Sequence, residues 1–363
     1  MKHPFRIPVL LTAVALLAVA CSSGADDTTT TTAYEALSTT TTAAPTSTTA
    51  ATTTTTSTTT TTLAPGVDPT INGLPAEEDL YERRVVGVKI DNHPSARPQS
   101  GLQDADAVYE VLVEGGLTRF IALFHQSDSE FVGPNRSGRP TDSALMAPLD
   151  GSLQISGAQP WVKDIFRRDG VHVVYDNGVT TFRMPHRTAP HNLYTTTPAI
   201  RDYSDDQGWL DEAPPALFVY GNEPTPATEN AETITFDWSN HPVIVWEWDG
   251  EQYLRFNNTT AHEWVDADSQ SGQVASDTLV VLKGDQYIAS SPSGAGSSVP
   301  AVHTTGSGEA LVFYSGGVFE ATWERESVQD VIRVVDSDGN DVTLPPGRVW
   351  INMFPDHRTL TWE

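Results

Sequence analysis

Cysteine occurs once in 363 residues, at position 21. One cysteine excludes a disulfide-stapled scaffold and a cysteine-built structural zinc site. Cations are also scarce: 21 Lys+Arg stand against 47 Asp+Glu, a formal net charge of -26. A chain so acidic has no general electrostatic hold on nucleic acid phosphates or an anionic lipid surface. Beyond the N-terminus, no apolar run approaches the ~20 residues of a membrane span. Large apolar side chains are almost missing from residues 22–69, where Thr runs at 28–32, 39–42, 52–56 and 58–62 alternate with Ala, Ser and Pro. Such a segment cannot offset the entropy of ordering itself.

The lone cysteine closes an export signal. Lys2 and Arg6 precede an apolar run from Ile7 to Ala20, too short to span a bilayer and ending in small residues. Leu17-Ala18-Val19-Ala20-Cys21 resembles a bacterial lipobox, in which the cysteine becomes the acylated first residue of the mature chain. Residues 1–21 are thus expected to be a lipoprotein signal peptide and Cys21 its lipid anchor. Two acyl chains suffice for stable attachment. The expected address is the extracytoplasmic face of a bacterial membrane, with 22–69 as a disordered tether between membrane and folded region.

Folded sequence is expected over 70–363 in two modules. In 70–231, strand-like runs at 84–91, 107–113, 118–124 and 171–175 alternate with helical patterns at 140–149, 158–168 and 197–203. This predicts an α+β, mixed α/β module, the last helix starting with Thr197 as N-cap and Pro198 at N1. In 232–363, eight short β-branched or aromatic runs are separated by hairpin signals such as Asp249-Gly250, Ser315-Gly316 and Asp338-Gly339. A mostly antiparallel, all-β module follows, as two packed sheets or a barrel. Charge divides unevenly: 13 basic and 23 acidic residues in 71–231, against 6 and 20 in 232–363.

The densest polar cluster lies on loops and strand ends of the first module. It runs from Asp91-Asn92-His93 through Arg97 and Ser100 to Asp106, Glu110, Glu114 and Arg119, then Arg136 and Arg139, and ends at His191-Asn192. Guanidinium groups beside Gly and Ser amides suit phosphate or carboxylate, and Asp91 ends a strand where open α/β sheets place ligands. Asp91, Arg97, Ser100, Glu114, Arg119, Arg136, Arg139, His191 and Asn192 are therefore the candidate ligand-binding residues. Alternatively, Arg97, Arg119, Arg136 and Arg139 pair with Asp91, Asp106, Glu110 and Glu114 in an internal network that holds the loops. His186 and His191 lie five apart on a loop that fixes no ligand geometry, so neither a metal nor a cofactor is expected. Ser100 and Ser137 are each followed by Gly but lack a G-x-S-x-G elbow. Asp266-Ala267-Asp268 lacks the remaining ligands of a calcium loop and reads as a hairpin turn. The tryptophans of the second module could stack sugars, but read better as core.

At these residues the chain resembles a known family. Val88-Lys89-Ile90-Asp91-Asn92-His93, Arg97-Pro98-Gln99-Ser100-Gly101, Glu114-Gly115-Gly116-Leu117-Thr118-Arg119-Phe120, Gly133-Pro134 and Pro190-His191-Asn192-Leu193-Tyr194 are similar to the YerB-like lipoproteins, also termed domain of unknown function 3048. Gly308 to Trp323 and Leu344-Pro345-Pro346-Gly347 resemble the second module of that family. The resemblance implies a two-module exported lipoprotein and brings no catalytic residue with it. The expected function is a membrane-anchored binding or accessory protein of the cell envelope. Its Arg-rich cleft would take an anionic wall glycan, lipid-linked phosphate or peptide carboxylate. Alternatives are an envelope phosphotransferase or hydrolase, with Asp91 or Glu114 as base or Mg²⁺ ligand, and a scaffold for protein partners. No nucleic acid partner is expected.

Overall fold

The computed structural model describes residues 70–239 and 243–363. The expected signal peptide, Cys21 and the tether lie outside the described residues. Strand is the main regular structure of the described chain, well ahead of helix. Val86–Asp91 (β1), Ala107–Leu112 (β2) and Thr118–Phe124 (β3) are followed by Pro140–Met146 (α1), Ser152–Gln154 (β4) and Pro160–Arg168 (α2). His172–Val174 (β5), Thr181–Arg183 (β6), Leu193–Thr195 (β7) and Thr197–Asp206 (α3) complete the first region. The second contains Thr233–Asp237 (β8), Ile244–Trp248 (β9), Tyr253–Asn257 (β10), Thr278–Gly284 (β11), Gly306–Tyr314 (β12), Gly317–Arg325 (β13), Arg333–Val335 (β14), Val349–Pro355 (β15) and Thr359–Trp362 (β16).

One mixed sheet runs through both regions in the order β14-β13-β12-β11-β15-β2-β3-β1-β4-β5. The link is β15, which pairs in parallel with β11 on one side and β2 on the other. The sheet thus crosses the 231/232 boundary drawn from composition. A second, antiparallel sheet contains β10-β9-β8-β16.

Alternation along the strands sets which layer each side chain meets. Val86, Val88 and Ile90 of β1, Phe120 of β3 and Trp350 of β15 pack toward Ile234, Phe236 and Trp246 of the second sheet. Ile121, Leu123, Ile351 and Met353 face the opposite way, onto Leu145, Met146, Val162 and Phe166 of α1 and α2. With both faces covered, all six β1 residues are buried, Lys89 and Asp91 included. Trp238, Trp246, Trp323 and Trp350 are core residues, as the packing reading expects. Trp246 and Trp350 meet edge to face at 5.2 Å across the two sheets.

Local signals explain the element ends. Ser315 and Gly316 adopt φ values of 50° and 72°, the left-handed pair that a two-residue hairpin between β12 and β13 requires. Asp266 Oδ1 accepts the amides of Asp268 and Gln270 in a hairpin turn. One expectation is corrected: the N-cap of α3 is Thr196, whose Oγ1 accepts Ala199 N at 3.2 Å. Thr197 lies inside the helix and donates its hydroxyl to Asp128 Oδ1 at 2.8 Å.

Candidate functional site

The antiparallel register of β1 and β3 sets Asp91 opposite Arg119. Residues 89 and 91 share the helix-side face, so Lys89 and Asp91 point the same way. The chain after Gly133 runs alongside: Ile90 bridges Asn135, and Arg136 N donates to Lys89 O at 2.9 Å. This places Arg136 Nε 3.0 Å from Asp91 Oδ2. His191 Nδ1 meets the same oxygen at 2.6 Å, and Asp91 Oδ1 accepts the His93 amide at 3.1 Å. The His93 and His191 rings stack at 4.6 Å with an interplanar angle of 18°.

His191 lies on the loop joining β6 to β7, which is clamped on its far side. Arg187 donates to Ala96 O at 2.8 Å and to Pro98 O at 2.6 Å. Asn192 Oδ1 accepts Arg183 Nη1 at 3.0 Å and makes no hydrogen bond to Asp91.

Three arginines gather on this face. Arg139, the N-cap of α1, grips Glu114 with two bonds: Nε to Oε2 at 2.9 Å and Nη2 to Oε1 at 2.7 Å. Arg139 N donates to Asp142 Oδ2 at 2.7 Å, while Lys89 Nζ meets Asp142 Oδ1 at 2.5 Å. Arg119 donates Nη1 to Ser137 O at 2.8 Å and has no carboxylate within ion-pair distance among the described residues. Burial first, and then the neighbouring Arg139 and Arg136, lower its guanidinium to about 10. Burial raises the Glu114 carboxyl, but its bonds from Arg139 and the backbone outweigh this and leave it below its usual value.

Arg97 does not join them. Its Nε and Nη2 bond Asn92 Oδ1 at 3.1 and 3.0 Å, on the side of the sheet that faces the second sheet. Here runs a buried polar chain. Asn92 Nδ2 donates to Thr118 Oγ1, and Thr118 to Glu110 Oε1, each at 2.7 Å. Glu110 also accepts Arg255 Nη2 at 2.8 Å and Trp350 Nε1 at 2.9 Å. Arg255 contacts His262 Nδ1, and His262 Nε2 lies 2.7 Å from Gln99 Oε1. Burial, then Arg255 and Arg97, push the His262 imidazole well below its ordinary value, so it stays neutral. An open pocket of about 350 Å³ borders this chain, lined by Arg97, Asn257, Asn258, Thr260, His262 and Glu263.

The nine candidates therefore separate. Asp91, Arg119, Arg136, Arg139, Glu114 and His191 form one cluster, and Arg97 belongs to the opposite face. Ser100 is wholly buried, its hydroxyl facing Tyr194 and its backbone exchanging two bonds with Gly133. The internal pairing expected of the acidic residues holds for Asp91 and Glu114. Glu110 instead takes Arg255, and Asp106 Oδ2 accepts the amides of His125, Gln126 and Ser127. Lys89, Asp142, Arg255 and His262 were not among the candidates. For Lys89 and Arg255 the sequence signal is a cation inside an otherwise apolar strand, at Val88-Lys89-Ile90 and Leu254-Arg255-Phe256; Asp142 and His262 carry none of this kind. Among the described residues, no three His, Cys, Asp or Glu side chains are grouped to hold a metal ion.

Two domain profiles match this chain: the N-terminal domain of a protein of unknown function, DUF3048, over residues 71–210, and its C-terminal domain over 233–351. The chain belongs to the DUF3048 family. It is 29% identical over 292 residues to Bacillus subtilis (strain 168) YerB, described as a candidate lipoprotein, covering 79% of this chain and 86% of YerB. The crystal structure of YerB matches with a TM-score of 0.70 and 26% identity, covering 81% of this chain and 99% of that one. In this DUF3048 member the Asp91 cluster lies within the N-terminal match. The Glu110–Arg255 pair joins the N-terminal match to the C-terminal one.

Proposed function

We propose that this protein is a lipoprotein anchored through Cys21 to the outer face of the bacterial membrane, where it binds an anionic envelope component at Arg119, Arg136, Arg139 and His191. Likeness to a protein described as a candidate lipoprotein supports the anchor. The observation that carries the binding reading is the Arg119 guanidinium, which has no carboxylate within ion-pair distance among the described residues and lies beside two other arginines. Lys89, Arg119, Arg136 and Arg139 face Asp91, Glu114 and Asp142, so the cluster has one positive charge over before His191 is counted. A phosphate or carboxylate would supply the missing counter-charge, and guanidinium suits the planar, two-point contact. Because the whole chain is acidic, this attraction is local. The ligand must reach the Asp91 edge before the field favours it.

Calorimetric titration with inorganic phosphate and with a poly(glycerol phosphate) chain tests the binding. Saturable heat is expected, with Arg119→Met weakening it at least about tenfold, or about 1.4 kcal/mol. No heat from either ligand at low ionic strength overturns the reading. Cys21→Ser is expected to move the protein from the membrane fraction to the soluble one.

A further inference from the structure

Asp91 and His191 form a tightly held polar pair at this edge. The Asp91 side chain is only 3% exposed, and its carboxylate is fixed by the His93 amide, His191 Nδ1 and Arg136 Nε. An ionised carboxylate only accepts hydrogen bonds, so Nδ1 of the neutral ring carries the proton and Nε2 presents its lone pair. Nε2 has no hydrogen-bond partner among the described residues, and the His191 side chain is 14% exposed, open to an approaching ligand. The ring is held by its stack on His93 and by His191 N donating to Thr188 O at 3.0 Å. His93 Nδ1 already accepts the Ser95 amide at 3.1 Å, so the lone pair of His191 Nε2 is not joined by a second one from its stacking partner.

We infer that His191 is a general base, positioned by Asp91, and that the site hydrolyses a phosphoester of the anion it binds. This rests on the binding reading above. Nε2 takes a proton from a water molecule as the water oxygen bonds to phosphorus. The bond from phosphorus to the leaving oxygen breaks, its electron pair stays on that oxygen, and the imidazolium returns the proton there. One phosphoester and one water give one phosphate and one alcohol. Arg136 shares with His191 the same carboxylate oxygen and so stands beside the phosphoryl group where charge builds. Arg119, with only Nη1 committed, supplies a second donor.

The test uses the full chain with bis(p-nitrophenyl) phosphate in the presence of EDTA, with phosphate affinity measured in parallel. p-Nitrophenolate release is expected. His191→Gln should cut kcat at least about a hundredfold, the usual scale of a general base, a far larger effect than on phosphate affinity. Asp91→Asn should lower kcat with KM unchanged or reduced, since it frees Arg136; a merely structural loss would raise KM and lower Tm. If phosphate binds but no turnover occurs, or His191→Gln keeps the parent kcat, this inference falls and the binding reading stands. If neither phosphate nor diester binds, both fall. Turnover that requires an added divalent cation and survives His191→Gln also overturns the inference.

Discussion

Lys89 Nζ lies 2.5 Å from Asp142 Oδ1, and neither side chain exposes any surface. Burial lowers the ammonium to about 8, against the pull of Asp142 and with help from Arg119 and Arg139. The free lysine value is 10.5, so between about pH 8 and 10.5 the unfolded chain binds more protons than the folded one. Stability therefore gains from this group as pH rises through that window, by at most about 1.4 kcal/mol per pH unit. Lys89→Met removes this slope, and the comparison of urea midpoints from pH 8 to 10 checks it. At pH 7 the same variant leaves Asp142 with only the Arg139 amide and costs about 3–5 kcal/mol, whereas replacing both residues with apolar ones recovers much of the loss.

The Glu110–Arg255 pair is equally buried, and it holds the two regions to each other. Arg255 lies over the rings of Phe120, Trp246 and Trp350, so its removal costs packing as well as charge. Arg255→Met is expected to destabilise the fold by about 3–5 kcal/mol, because Glu110 is then a buried carboxylate without its cation. Its neighbour gives a second, pH-dependent readout. His262 titrates far below 6.5 in the folded chain, so the unfolded chain takes up a proton first as pH falls through 6.5. The contribution of His262 to stability is lost below that pH, and His262→Gln should flatten this part of the urea-midpoint profile relative to the parent.

Strand positions, the Ser315-Gly316 hairpin and the acidic and basic loops could be read from local patterns, since alternation, φ > 0 residues and Gly/Pro punctuation act over a few residues. Partnership could not. Nothing in the Val349–Phe354 run says that it inserts between β11 and β2, some 70 and 240 residues away. The same limit applies to Arg97: its spacing to Asp91 resembles that of a shared loop, but the strand pleat sends Asn92 and its arginine to the other face. Lys89 and Arg255 each sit in an apolar strand, where a charge is tolerated only if a distant carboxylate meets it, and local sequence does not show that carboxylate. Thr196 and Thr197 are chemically alike, and only the Ser129 and Asp128 contacts of Thr197 decide which one caps α3.

Arg97 provides a control for the binding site. It bonds Asn92 and borders the pocket beside His262, while Arg119 and Arg136 stand with Asp91 on the other side of the sheet. Arg97→Met should change phosphate affinity less than about twofold, against tenfold or more for Arg119→Met, where a charge-assisted contact is lost. Equal losses from Arg97 and Arg119 would mean that the two faces answer to one ligand, contrary to their separation. Calorimetry on the two variants and the parent distinguishes these outcomes.

The position of β15 makes cooperativity the final test. The ladder partners of β15 are β11 on one side and β2 on the other, and Trp350 buries its ring between the two sheets while donating to Glu110. A chain cut after 231 lacks β15 and leaves β2 as an unpaired, apolar sheet edge, a surface that aggregates. A chain beginning at 232 keeps the β11–β15 pair but exposes the other side of β15. Neither piece is expected to give a dispersed amide spectrum alone, and residues 70–363 should unfold in one transition, with fluorescence and circular dichroism superimposable. Trp350→Ala should destabilise the fold by about 3–5 kcal/mol and lower that single midpoint without splitting it. Two separated transitions, or a folded 70–231 fragment, would show that the sheet is not the cooperative unit that the β11–β15–β2 pairing requires.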